Sequence, residues 1–178
     1  MGSTEVTKKC AFRTDRLEVG EWHAMAENYG LDLETVVLDT LTPQTTRALP
    51  PEWHGAFDIE RSRRWIEDRD AESATLLAVE HETGAAACLL LLFESASIED
   101  SGVDVRIGYI VRDETAGRGL ASELVGGLVE WARSQPTIGV LAGGVSSDNA
   151  ASARVLIKNG FVTAAGPGSK ETFYELRL

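Results

Sequence analysis

The stretch RDETAGRGLASEL, Arg112 to Leu124, sets Gly117 and Gly119 one residue apart and runs straight into an apolar pattern of helical period. Leu120, Leu124, Leu128 and Trp131 recur at spacings of four, four and three, which lines them up on one helix face. Ala121, Val125, Val129 and Ala132 widen that face, as a helix lying on a sheet requires. Just upstream, VDVRIGYIV, Val103 to Val111, alternates and is rich in β-branched residues, so it reads as a strand. The stretch is therefore a strand-to-helix junction. A helix start leaves backbone N–H groups without partners and carries partial positive charge. Glycines before it let an anion come close, and Arg118 adds a cation. A plain tight turn would use the same residues.

Two common phosphate motifs fail here. As a G-x-G-x-x-G pattern the stretch breaks at Ser122, and no acidic residue ends a following strand where a ribose contact would need it. The Gly-Lys-Ser/Thr of a P-loop is absent.

Working outward, FRTDRLEV (12–19) reads as one strand, and residues 21–40 as a helix interrupted near Gly30. Pro43, Pro50, Pro51 and Gly55 mark a loop, and 57–70 is an amphipathic helix with Ile59, Trp65 and Ile66 toward the core. ATLLAVEHE and AAACLLLLFE form two strands about the turn at Gly84. After the junction come a strand, TIGVLAGGV, a short helix in DNAASARVLIKNGF with Asp148 or Asn149 as N-cap, and a last strand, ETFYELRL. The order β-α-α-β-β-β-α-β-α-β predicts an α/β fold: a mixed, mostly antiparallel sheet with flanking helices, in one domain over 1–178 with residues 1–9 flexible.

Composition narrows the function classes. The chain is 43% hydrophobic and 25% charged, typical of a soluble globular protein. Its longest apolar run, Ala85 to Phe93, falls far short of the roughly 20 residues that span a bilayer. With no hydrophobic leader at the N-terminus, a cytoplasmic location is expected. The net charge of −11 argues against nucleic acid or anionic membranes as partners and suits a cationic substrate. Cys10 and Cys88 lie far apart with no CxxC or histidine cluster, so neither a metal site nor a disulfide framework is expected.

Three segments, RTDRL near the start, IGYIVRDETAGRGLASELV in the middle and SSDNAASARVLIKNGF (146–161) near the end, together resemble the GNAT superfamily of acetyl-CoA-dependent N-acetyltransferases. They look most like the branch that acetylates ribosomal-protein N-termini, and LTPQTTRALPP matches that branch's loop before the third helix. The resemblance implies that Ala116, Gly117, Arg118, Gly119, Leu120 and Ala121 cradle the coenzyme A pyrophosphate through backbone N–H groups. It implies that Ile110 and Val111 pair with the pantetheine arm, a backbone N–H there polarising the thioester carbonyl. Asn149 would hydrogen-bond the pantetheine, and Ser152 would lie near the sulfur. Arg154 and Lys158 are further phosphate candidates.

Acetyl transfer to an amine needs a neutral amine, a donor to the developing oxyanion and a proton for the departing thiolate. Lysine-like amines have pKa values near 10.4 and α-amines near 8, so a base must accept a proton. Relatives often carry a glutamate before IGY, where this chain has Arg106. Glu94, Asp104, His23 and His54 are the alternatives. Much of the superfamily places a tyrosine in the helix after the last core strand; here that helix has none, and Ser152 is the candidate catalytic residue and acid. Ala116 stands where a glutamine or arginine often precedes the glycine loop. Residues 21–57, with Trp22, Tyr29 and Trp53, are expected to wall the acceptor. Two functions follow: direct acetyl transfer in a ternary complex to a protein α-amine or small amine, or a non-catalytic coenzyme A-binding module. Monomer and homodimer both fit.

Overall fold

The computed structural model describes residues 5–99, 102–165 and 170–178. The elements run α1 (Glu5–Lys8), β1 (Phe12–Arg13), β2 (Leu17–Glu21), α2 (Trp22–Asn28), α3 (Leu33–Thr40), α4 (Ile59–Glu72), β3 (Ala74–Glu80), β4 (Ala85–Ala96), β5 (Val103–Val111), α5 (Leu120–Arg133), β6 (Ile138–Ser146), α6 (Ala150–Lys158), β7 (Val162–Ala164) and β8 (Glu171–Arg177), with short 3₁₀ turns at Thr45–Ala48, Pro51–Trp53 and Asp113–Thr115. The eight strands form one sheet in the order β1-β2-β3-β4-β5-β6-β8-β7. All neighbours are antiparallel except β5 and β6. This is the expected mixed, mostly antiparallel α/β sheet.

Both faces of the sheet are covered, which is why β4 reads as an unbroken apolar run: Ala86 to Leu92 are all buried. Strand alternation splits the core in two. Leu76, Ala78, Leu90, Val105 and Ile107 meet the Leu120–Leu124–Leu128 face of α5, each fully buried leucine contributing about 1.5–3 kcal/mol. Leu77, Val79, Leu89 and Ile110 meet Trp22, Val37 and Trp65 from α2, α3 and α4. Trp131 packs against the first core but stays partly exposed.

The structure departs from the sequence reading in four places, the first being Ile59, which was expected toward the core and is 40% exposed. FRTDRLEV is a hairpin and not one strand, because Thr14 N–H donates to Leu17 O (2.9 Å) and Thr14 Oγ1 accepts from Leu17 N–H (3.0 Å), closing a turn. A short strand, β7, pairs with β8 where the sequence reading placed no element. Of the segment expected to be flexible, residues 1–4 lie outside the described residues, whereas 5–8 form a helical turn with Thr7 buried against the sheet. Gly30, at φ 63°, separates α2 from α3 as its position suggested. Among the described residues no helix is long and apolar enough to cross a membrane.

Candidate active site

The parallel pair β5–β6 holds only from Val103 to Arg106 against Ile138 to Ala142. Beyond that the strands part: β5 stays with β4, and β6 follows β8. The gap is the mouth of a cavity of about 440 Å³ lined by Ile107–Val111, Gly143–Ser146, the glycine loop and the first turns of α6.

The ladder tells which backbone groups face the gap. Arg112 N–H donates to Ala87 O (3.0 Å), directly opposite it in the β4–β5 register, while Val103 N–H points the other way, to Thr137 O (2.8 Å). Backbone groups alternate sides along an antiparallel strand. The N–H groups of Tyr109 and Val111 therefore face the cleft, and that of Ile110 faces β4. Ile110 still lines the cavity, as Val111 does.

At the end of β5, Thr115 Oγ1 donates to Ala87 O (3.0 Å) and Arg112 Nη1 to Ala86 O (3.1 Å), anchoring the loop to β4. Gly117 and Gly119 have φ of 76° and 79°, the left-handed region that favours glycine. Gly119 is the N-cap of α5 and offers no side chain to cap it. The bond from Glu123 N–H to Gly119 O (3.1 Å) opens the helix, so the preceding N–H groups lack intrahelical acceptors. Ala116, Gly117, Gly119, Leu120, Ala121 and Ser122 line the cavity. Arg118 does not: it forms a two-pronged ion pair with Glu80 (2.7 and 2.8 Å). Its carbonyl accepts from Arg16 Nη1 (2.9 Å).

Across the cleft, Asn149 caps α6, its Oδ1 accepting the Ser152 N–H (3.2 Å). This fixes Ser152 in the first helical turn, where both residues line the cavity. Sequence reasoning missed what meets Ser152 there. The Tyr109 hydroxyl lies 2.6 Å from Ser152 Oγ, where either hydroxyl can donate, and 3.3 Å from Ser152 O. Burial raises the Tyr109 pKa against a smaller opposing effect of the Ser152 bond, so the phenol keeps its proton at neutral pH.

The four proposed bases are not among the cavity-lining residues. Glu94 accepts from Thr7 N–H and Oγ1, His23 pairs with Asp70 (2.9 Å), and His54 Nε2 contacts Leu49 O (2.7 Å). Asp104 sits back at the paired part of β5, opposite Val140. A carboxylate the sequence did not single out is closer: a Cβ on Gly144 would lie 3.4 Å from Glu171 Oε2. Gly144 lines the cavity on β6 and Glu171 stands one strand away on β8, though Glu171, like the other four, is not itself among the lining residues. Arg154 and Lys158 are exposed on α6 and do not line the cleft.

The expected aromatic wall is elsewhere. Trp22 is buried with its Nε1 donating to Asp70, Tyr29 bonds Glu18, and Trp53 meets Trp65 edge to face with the Arg69 guanidinium over its ring. Thr45, Ala48 and Leu49 from the first 3₁₀ turn wall the cleft instead. Both cysteines are buried, and burial pushes the Cys88 thiol up to about 12, which leaves it inert as a nucleophile.

Comparison with known proteins agrees with this architecture. The family model described as acetyltransferase (GNAT) domain matches residues 9–162. No curated protein matches the chain. Among solved structures, a GNAT-family acetyltransferase from Bacillus anthracis superposes with TM-score 0.71 at 14% identity, over 94% of this chain and 98% of that one. RimL, a ribosomal L7/L12 α-N-protein acetyltransferase solved with coenzyme A, gives TM-score 0.71 at 15% identity, over 93% and 96%. The microcin C7 self-immunity acetyltransferase MccE, solved with acetyl-CoA and AMP, gives 0.70 at 13%, over 93% and 94%.

Proposed function

The chain belongs to the GNAT acetyltransferase family, and on that footing we propose that it moves an acetyl group from acetyl-CoA to a primary amine by direct transfer in a ternary complex. One observation carries the reading: a splayed strand with free N–H groups and an uncapped, glycine-opened helix start face the same cavity. Such a pair suits a ligand with a phosphate at one end and an amide-bearing arm at the other.

Acetyl-CoA would supply an activated acyl group on a thiol leaving group. The N–H groups of the loop from Ala116 to Ala121 would hold its pyrophosphate, with Arg118 steadying the loop through Glu80. The arm would lie along Tyr109 to Val111 as an added strand, and the N–H of Tyr109 or Val111 would meet the oxygen that gains charge. Asn149 has spent its carboxamide oxygen on Ser152, which leaves its NH₂ for the arm. Glu171, whose carboxylate lies beside Gly144, would take a proton from the amine. The acceptor would enter beside Thr45, Ala48 and Leu49. The reading covers the whole chain as one acetyltransferase domain acting on a protein N-terminus or a small amine.

The test is thiol release from acetyl-CoA, followed with a thiol reagent, in the presence of peptides with free α-amines and, separately, of small polyamines. Amine-dependent release supports the transferase. Coenzyme A binding without release with either class would favour a binding module on the same fold.

A further inference from the structure

We infer that Tyr109 is the proton source for the departing thiolate, acting through Ser152, so that two hydroxyls from β5 and α6 do what a single acid would otherwise do. The inference rests on the acetyl-CoA reading of the cleft and goes beyond it in naming the donor.

The geometry is specific. Tyr109 Oη and Ser152 Oγ are 2.6 Å apart, at the short end for two neutral hydroxyls. Both residues line the cavity with Asn149 and the glycine loop. Two hydroxyls hold two protons. With Tyr109 donating to Ser152 Oγ, the Ser152 proton has no acceptor among the described residues and is left for a ligand. Asn149 fixes Ser152 through its backbone N–H, and the Tyr109 ring packs against the buried core under α5 and α6. The pair thus stands on one side of the splayed strands. Gly144, with Glu171 over it, lies on the other. Acid and base are separated by the sheet plane.

The chemistry favours the phenol as the ultimate donor. In water a thiol near 8.5 and a phenol near 10 differ by about 1.5 units, a gap that burial of Tyr109 widens, whereas an alcohol is a far weaker acid than either. As the thioester C–S bond breaks, the sulfur lone pair takes the Ser152 proton and Ser152 Oγ takes the Tyr109 proton. Solvent then returns a proton to the phenolate, matching the one lost by the amine on the other face. Burial and the Ser152 hydroxyl are the influences that move the Tyr109 phenol; no charged side chain contributes.

The test uses the full chain with bound coenzyme A and needs no acceptor. The thiol of the bound coenzyme is titrated by its thiolate absorbance in wild type, Tyr109→Phe, Ser152→Ala and the double variant, and coenzyme A affinity is measured for each. The expected result is a thiol about tenfold less acidic in either single variant, no further change in the double, and affinities at low pH within about threefold. A Tyr109→Phe titration equal to wild type, or two effects that add, overturns the inference. Should Tyr109→Phe fail to fold, protein with 3-fluorotyrosine at its tyrosines makes the phenol more acidic. The bound thiol must then become more acidic as well, and no change overturns the relay. Failure of wild type to bind coenzyme A at all is a separate result, which removes the acetyl-CoA reading and this inference with it.

Discussion

Arg16 Nε lies 2.7 Å from Glu123 Oε2, joining the β1–β2 turn to the first turn of α5. The same carboxylate accepts from Thr14 Oγ1 (2.6 Å) and Arg16 N–H (2.8 Å), while Arg16 Nη1 holds the Arg118 carbonyl. The RTDRL segment therefore acts as a clamp on the glycine loop. Glu123→Ala should cost about 2 kcal/mol of stability by removing hydrogen bonds to a charged group. It should also weaken acetyl-CoA binding severalfold, read by calorimetry. Unchanged affinity in a folded variant would detach the clamp from the site.

The same carboxylates set an acid limit. Burial opposes ionisation of Glu123, but the hydrogen bonds from Thr14 and Arg16 outweigh it and hold its pKa below the usual range. The Arg118 guanidinium does the same for Glu80. With folded pKa values below the unfolded value near 4.3, their contribution is complete above that value and is lost as pH falls through the folded ones. Melting temperature should be level from neutral pH down to about 5.5 and then decline. The decline should be shallower in Glu80→Gln and Glu123→Gln; identical acid profiles would contradict the assignment.

Two glycines eight residues apart, Gly119 and Gly127, separate binding from folding. Gly119→Ala forces an L-residue to φ 79°, costing about 1–2 kcal/mol, and should lower acetyl-CoA affinity tenfold or more. A Cβ on Gly127 would lie 2.5 Å from the Phe12 ring. Gly127→Ala should therefore cost about 1–3 kcal/mol by overpacking while leaving affinity unchanged. Equal loss of affinity in both would mean that the loop has no special part in binding.

For the base, Glu171→Gln should reduce kcat/KM on the order of 10²-fold with acetyl-CoA affinity intact. Glu94→Gln, whose carboxylate serves Thr7, should leave the rate nearly unchanged. The reverse pattern would return the role to Glu94.

Much of this was legible because the elements that build the cleft carry local signals. The β5 alternation, the glycine pair and the Asn149 cap are each read within a dozen residues, and all three face one cavity. What escaped depends on distance or on register. Tyr109 and Ser152 are 43 residues apart, and nothing in either segment says that their hydroxyls meet. Glu171 matters only because β8 runs beside the glycines of β6. Trp22 and Trp53 looked like acceptor surface because large aromatics before the core strands can wall a ligand. Packing against Trp65 won instead, with Trp22 buried and Trp53 partly so. The TDRL turn was read as strand because Thr14 closes it with its own side chain, a choice alternation does not reveal.

The central claim is that the splay between β5 and β6 holds acetyl-CoA. It is tested most directly by the melting temperature of the full chain with saturating acetyl-CoA, coenzyme A, NAD and ATP in parallel. A ligand at 100 times its dissociation constant adds about 2.7 kcal/mol, or roughly 5–11 °C for a domain of this size. The account predicts that rise with acetyl-CoA and coenzyme A and not with NAD. A well-folded chain whose melting temperature is unmoved by either coenzyme A species would contradict it.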